Sequence, residues 1–303
     1  MRSERLKYLR EILRHPANQG EPIRTLVRYL GWNVGRRLLG DAEFAIRLVA
    51  GRQVILSNKE NYATLAFTCG LYDFEDMLFV LHFLRAGDVF GDFGANVGLY
   101  SVLAGIRDAK VLAVEPVPDT FVRLKRNLAF NGVSGVPLNC GLSDHVGTLS
   151  FTTQHGGMNR VVRKGETATI EVGVATADVV AEQAGLAPNL LKIDVEGFEY
   201  PLLSGGRRLL QESVQVIIIE LNGSGRRYGF ADEDVDRLLV DAGFGPFAYD
   251  PLSRTLSARP GLNRRGLNTL YVREDCVESA REKLRSAPAV EVPIHGGRTK
   301  LRI

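Results

Sequence analysis

The chain has 303 residues, of which 45% are hydrophobic and 24% charged. These are the fractions of a folded globular protein and exclude disordered and fibrous classes. Its 38 Lys and Arg exceed its 35 Asp and Glu by three, which requires no polyanionic partner, and nucleic-acid binding is not expected. The charge is uneven. Residues 1–40 carry nine bases and three acids, residues 276–303 carry six and three, and the span between them is near −6. Such basic ends are docking surfaces or, more commonly, solvated faces. Cys69, Cys140 and Cys276 lie far apart, with no CxxC or Cys/His cluster, so neither a disulfide framework nor a zinc site is expected. The segment MRSERLKYLREILRHP lacks the apolar core of a signal peptide. The longest apolar runs, such as VIIIEL at 216–221, are too short to span a bilayer. A cytoplasmic protein without a membrane span is the expectation.

Leu6, Leu9, Ile12 and Leu13 fall at helical spacing before Pro16, which predicts a helix over 3–14. A second helix follows from Pro22 to Leu39. FAIRLVAGRQVILS (44–57) alternates and turns at Ala50-Gly51, the pattern of a hairpin. Residues 1–70 therefore read as an accessory cap. From residue 73 the rhythm changes. FEDMLFVLHFLRAG (74–87) is helical and leads into the apolar run DVFGDFG (88–94). A helix over 96–107, the strand KVLAVEP (110–116), a helix over 120–132 and a third strand and loop, VPLNCGLSD (136–144), come next. NLLKIDVEG (189–197) and VQVIIIELNG (214–223) are runs of parallel-strand type, with helices expected over 199–211 and 231–242. FGPFAYD (244–250) and LNTLYVRED (267–275) close the sheet as an antiparallel pair. Strand and helix alternating at this spacing predict an α/β, doubly wound Rossmann-like sheet over residues 71–275, followed by a basic tail, 276–303. Residues 146–174 break the rhythm and read as an inserted hairpin or lid at the carboxyl edge.

The central chemical signal is DVFGDFGANVGLYS (88–101). Asp92 ends a predicted strand, and Gly94, Asn96 and Gly98 follow at two-residue intervals before a helix, letting the backbone approach a nucleotide. A glycine turn also serves plain packing, so it needs support. Glu115, 23 residues after Asp92, ends the next strand, where an acid accepts hydrogen bonds from both ribose hydroxyls of an adenosine. Asp144 ends the third, where a carboxylate can hold an adenine amino group. The turn reads DxGxNxG, whereas a dinucleotide turn reads GxGxxG with pyrophosphate at the helix N-terminus. Asp92 would repel a pyrophosphate and suits an ammonium and a sulfonium. That favours S-adenosyl-L-methionine over NAD.

GDFGANVGLYS, VEPVPDTFVRLKRNLAFNG, the LSD turn and LLKIDVEGFEYPLLSGG (190–206) together resemble the FkbM-type S-adenosylmethionine-dependent methyltransferases across about residues 70–275. The resemblance implies a class I methyltransferase fold. It places Asp92, Gly94, Ala95, Asn96 and Gly98 in the cofactor loop, Glu115 with Pro116 at the ribose, and Ser143 with Asp144 at the adenine. Lys192, Asp194, Glu196 and Gly197 fall beside the methyl group and acceptor, and Glu75 at an acidic position closing over the cofactor. It also implies O-methylation of a sugar, glycoconjugate or natural product, a small-molecule or carbohydrate acceptor.

The chemistry expected is in-line methyl transfer from a sulfonium to an acceptor oxygen, with alignment of the reactants contributing up to about 7–11 kcal/mol. A base for the acceptor proton is useful; Asp194 and Glu196 are the candidates, with His155 on the lid the third. His145 reads as a solvated or capping histidine. Asp194, Glu220 and Asn222 could offer three oxygens to Mg²⁺, but a pocket lining without metal is preferred. The rivals are an NAD(P)-dependent oxidoreductase on a similar sheet and a non-catalytic nucleotide-binding module. Sequence leaves the oligomeric state open, a homodimer included.

Overall fold

In the computed structural model, which describes residues 2–60, 62–153, 159–163, 166, 169–264, 266, 268–293 and 300–303, prolines set the first two boundaries. The chain leaves α1 (Arg2–Arg14) just before Pro16, and Pro22 opens α2 (Pro22–Leu38) in its first turn, where a missing N–H is harmless. The expected hairpin forms from β1 (Glu43–Arg47) and β2 (Gln53–Ser57). Ala50 and Gly51 both turn through positive φ, 52° and 75°.

After α3 (Ala63–Cys69), α4 (Phe74–Phe83) is buried on almost every side, from Met77 to Phe83. Strands and helices then alternate: β3 (Val89–Phe93), α5 (Leu99–Gly105), β4 (Lys110–Val114), α6 (Pro118–Phe130) and β5 (Gly135–Leu138). An insertion follows, in which β6 (Gly141–Leu142) and β7 (Gly147–Thr152) flank β8 (Thr169–Ala175) in a small three-stranded sheet. This is the hairpin expected over 146–174. The alternation resumes with α7 (Ala177–Ala184), β9 (Leu190–Ile193), α8 (Glu199–Ser204), α9 (Arg207–Glu212), β10 (Val216–Glu220) and α10 (Asp232–Asp241). The chain then runs through β11 (Phe244–Asp250), β12 (Thr255–Ala258), β13 (Asn268–Arg273), α11 (Val277–Arg285), β14 (Glu291–Pro293) and β15 (Lys300–Arg302).

The main sheet has the order β12-β11-β13-β10-β9-β3-β4-β5. Its five strands from β5 to β10 are parallel, while β13 lies antiparallel to both neighbours. The expected antiparallel pair thus forms, with β13 inserted between β10 and β11. Alternate residues divide the sheet between two cores. Val216 and Ile218 join α4, α5 and α11 on one face, and Ile217 and Ile219 join α7 and α10 on the other. A strand buried on both faces has to be apolar throughout, as VIII is.

Several boundaries differ from the sequence reading, among them the helix expected over 74–87, which ends at Phe83. The helix expected from residue 96 begins at Leu99, because Gly98 is left-handed at φ 86°. The helix expected over 199–211 breaks at Gly205-Gly206, where a Cβ on Gly205 would lie 2.3 Å from Ser143 O. The strand expected over 136–144 splits, and its second half, β6, pairs with β8 instead of the main sheet. The last residues, expected as a basic tail, bury Ala280, Leu284, Val290, Val292 and Ile303 in the first core. Two asparagines of α6 bind the hairpin. Fully buried Asn127 exchanges both hydrogen bonds with Ile55 and donates to Val97 O at 2.8 Å, while Asn131 bonds Gln53. Among the described residues no helix is long and apolar enough to cross a membrane.

Candidate active site

The parallel strands all point one way, so their carboxyl ends collect side chains from distant stretches of sequence at one edge. β3 is neighbour to β4 on one side and β9 on the other. The chain leaves these two neighbours in opposite directions along the sheet, which opens a crevice there. A cavity of about 450 Å³ occupies this edge.

Glycine 94 makes the crevice geometrically tight. It has φ 82°, and a Cβ there would lie 1.9 Å from the carbonyl oxygen of Asp194. A Cβ on Gly98, also left-handed, would lie 2.6 Å from Leu124 on α6. Both glycines thus admit neighbouring parts of the chain itself, Gly94 the end of β9 and Gly98 a helix. The backbone between them lines the cavity through Ala95 and Asn96.

Asp92 is buried and accepts a hydrogen bond from Ser101 Oγ at 2.5 Å; burial pushes its carboxyl up to about 6. Glu115 is buried one strand over. Its two oxygens accept the N–H groups of Asn96 and Val117, each at 2.9 Å, and burial raises it to about 7. Lys192, beside Asp92 in the sheet register, is buried with its ammonium 3.3 Å from Asp194 Oδ2 and 5.6 Å from the ring centre of Tyr100. Burial alone would lower its pKa, but Asp194, Glu220, Asp73 and Asp76 together raise it. Asp73 accepts from Tyr100 Oη at 3.1 Å, and burial, then the charge of Asp76, lift it to about 7.

On the β9–β10 side the acids crowd. Asp194, Glu196 and Glu220 each bring a carboxylate oxygen within 4.8 Å of the others. Glu196 has φ 54°, a left-handed backbone that costs a non-glycine residue about 1–2 kcal/mol. Burial, then repulsion from Asp194, raises it to about 7, opposed by Arg227 and Arg160. Burial and Asp194 hold Glu220 far above the usual carboxylate range. Lys192 already occupies the cationic position against Asp194.

Of the site residues expected from sequence, Asp92, Gly94, Ala95, Asn96, Glu115, Pro116, Asp194 and Glu196 line this one cavity. Gly98 stands behind it. Ser143, buried, and Asp144, exposed and 2.7 Å from His145 Nδ1, were expected at the adenine but are not among the lining residues; Cys140, Gly141 and Leu142, just before them, line the cavity there. Glu75 is not among the lining residues: it is half-buried, and the charges acting on it are Asp76, Asp250 and Arg259. Asp73, two residues earlier, lines the cavity in its stead. Asp73 stands just before α4 and faces Tyr100, whereas Glu75 lies in the first turn of the helix and points elsewhere. Tyr62 and Tyr72, stacked at 5.7 Å, and Asn268 were also missed. The insertion reaches the cavity through Phe151, Asn159 and Val161. It is tethered there by Tyr228, which donates to Val161 O at 2.7 Å. His155 lies outside the described residues.

A parallel core with a reversed strand beside β10, and a crevice at the β3 switch point, make this the fold of a class I methyltransferase. Residues 92–246, half of the chain, match the methyltransferase FkbM domain, and the chain belongs to that family. It is 33% identical over 156 residues to hexuronic acid methyltransferase AglP of Haloferax volcanii, covering 51% of this chain and 62% of that protein. The chain thus spans under two thirds of the length of that relative. It is 30% identical over 205 residues to 31-O-demethyl-FK506 methyltransferase FkbM of Streptomyces tacrolimicus, covering 56% and 77% of the two. Among solved structures, the methyltransferase FkbM of Methylobacillus flagellatus KT aligns over 82% of this chain and 59% of its own, with a TM-score of 0.42 and 15% identity.

Proposed function

We propose that the chain is an S-adenosyl-L-methionine-dependent O-methyltransferase acting on a hydroxyl of a sugar, glycoconjugate or natural product. The observation that carries this reading is electrostatic. Among the described residues, Asp73, Asp92, Glu115, Asp194, Glu196 and Glu220 line one cavity with Lys192 as its one lining cation, Arg160 and Arg227 acting on Glu196 from outside the lining. Such a cavity repels a pyrophosphate, and a cationic ligand relieves the repulsion. When bound, S-adenosyl-L-methionine supplies a methyl group activated on a sulfonium, with a second positive charge on its α-ammonium.

The residues divide into two tasks. Glu115, fixed by two backbone N–H groups, keeps lone pairs free for a pair of ribose hydroxyls. Asp92 and Asp73, braced by Ser101 and Tyr100, face the cationic end of the ligand. Tyr62, whose hydroxyl bonds Asn96 Oδ1 at 3.3 Å, and the insertion residues Phe151 and Val161 exclude water. Glu196 receives the acceptor's proton. Its carboxyl sits near 7, where a general base works best, and its left-handed backbone is the kind of local strain that collects at functional positions. The sugar and natural-product substrates in the names of two relatives support a hydroxylated acceptor.

Calorimetry with S-adenosylhomocysteine and, separately, NADH tests this reading. Micromolar binding of the homocysteine compound, weakened about 10- to 100-fold by Glu115→Ala as for a lost buried hydrogen-bond pair, is the expected result. NADH binding without a response to S-adenosylhomocysteine would assign the site to a dehydrogenase.

A further inference from the structure

Among the described residues, one helix face has no counterpart elsewhere. α2 turns Thr25, Arg28, Trp32 and Arg36 toward α3: Trp32 stacks on Phe67 at 4.6 Å and donates to Thr64 Oγ1 at 2.8 Å, and Arg36 donates to the same oxygen at 3.1 Å. The opposite face carries Ile23, Leu26, Val27, Leu30, Val34 and Leu38 at helical spacing. Ile23 is 77% exposed, Val27 64%, Leu30 53%, Val34 54% and Leu38 80%. A stripe this long, about 22 Å at the rise of a helix, is not the scatter of single apolar residues that any surface shows.

We infer that this face docks on the surface of an anionic lipid bilayer. Charge decides among the occupants. Residues 21–40 contain Arg24, Arg28, Arg36 and Arg37 against one acid, Glu21, which pairs with Arg24 at 3.1 Å. Arg24 and Arg37 are exposed on opposite flanks of the stripe. A second copy packed two-fold on this face would bring the four arginines of each helix together against a single carboxylate from each, Glu21, which Arg24 already holds. Negative headgroups meet the same arginines favourably while the apolar stripe enters the acyl boundary. The whole chain is polarised in the same sense, with an excess of six bases in residues 1–40 and of about six acids in 41–275. An anionic surface therefore attracts the N-terminal end and repels the body. α3 then stands between bilayer and cavity, since its Thr64 and Phe67 meet α2 while its Leu65 lines the cavity. That arrangement suits an acceptor presented at a membrane.

The test is co-sedimentation of the full chain with phosphatidylcholine vesicles with and without phosphatidylglycerol. Binding only to the anionic vesicles, weakened by salt, is expected. Arg37→Ala should reduce partitioning about fivefold, and Arg24→Ala, whose guanidinium is paired with Glu21, by less. The pair Leu30→Asp with Val34→Asp should abolish it at an unchanged thermal midpoint. The arginine variants keep the test decisive should that pair unfold. Equal binding to neutral vesicles, or none to either, overturns the inference. So does a concentration-dependent dimer that the aspartate pair dissolves, which would give the face to a second copy. None of these readouts uses methyl transfer, so they stand or fall apart from the proposed activity.

Discussion

The two sides of the cavity solve the same problem, a carboxylate out of water, in opposite ways. On the β4 side Glu115 stands with both oxygens held by backbone N–H groups. On the β9–β10 side Asp194, Glu196 and Glu220 face one another, and among the described residues one ammonium, that of Lys192, stands with them. A satisfied carboxylate is a fixed acceptor, and its use is to position. Crowded carboxylates cannot all be ionised, and their use is to hold or accept a proton. Under the proposed function, the contrast assigns binding to Glu115 and proton handling to Glu196.

Glu196→Gln breaks the comparison most severely. The amide keeps the shape and removes the proton acceptor, so turnover should fall about 10²- to 10⁴-fold. S-adenosylhomocysteine affinity should stay within a few-fold of wild type. In the wild-type protein activity should rise with pH through about 7, where Glu196 ionises, and the variant should lose that limb. A Glu196→Gln variant with full turnover and an unchanged pH profile would transfer the role to Asp194.

Lys192→Met comes next. It removes the ammonium 3.3 Å from Asp194, whose side chain is still 40% exposed, so the loss should fall below the roughly 3–5 kcal/mol of a fully buried pair. Denaturant unfolding should show that loss, partly recovered in acid, where the surrounding carboxyls take up protons. A variant as stable at neutral pH as the wild type would mean that the acids are already neutral without Lys192.

How far this was legible in the sequence follows the range of the forces involved. The strand and helix rhythm is local, and it foretold the parallel core, the hairpin turn at Ala50-Gly51 and the insertion. The acids ending β3, β4 and β9 were also readable, because parallel strands with helical crossovers present their carboxyl ends together. What escaped depends on side-chain direction and distant contact. Glu75 was read where Asp73 acts, since choosing between them needs the rotation of α4 about its axis. The glycines were read as making room for a ligand, whereas Gly94 makes room for the carbonyl of Asp194, a hundred residues on. Asn127 gives no sequence signal at all; only the fold brings Ile55 and Val97 to it.

The smallest effect is also the one that tests the electrostatics as a whole. Burial raises Asp92 to about 6 and Asp73, Glu115, Glu196 and Glu199 to about 7. An acid whose folded pKa lies above its unfolded value binds more protons in the folded state, so stability falls as pH climbs between the two values. The ligand-free chain should therefore melt at a higher temperature near pH 5 than near pH 7.5. Buried His15 and His82, lowered to about 4 by burial, oppose this between pH 5 and 6.5, but they are two against five acids. S-adenosyl-L-methionine places positive charge against the ionised carboxylates, so its increment to the thermal midpoint should be larger at the higher pH. S-adenosylhomocysteine has the same shape without the sulfonium, and its increment should depend less on pH. Equal increments for the two at every pH would mean that the acids around Lys192 do not sense the ligand's charge, and the distinction between a positioning side and a proton-handling side of the cavity would lose its electrostatic basis.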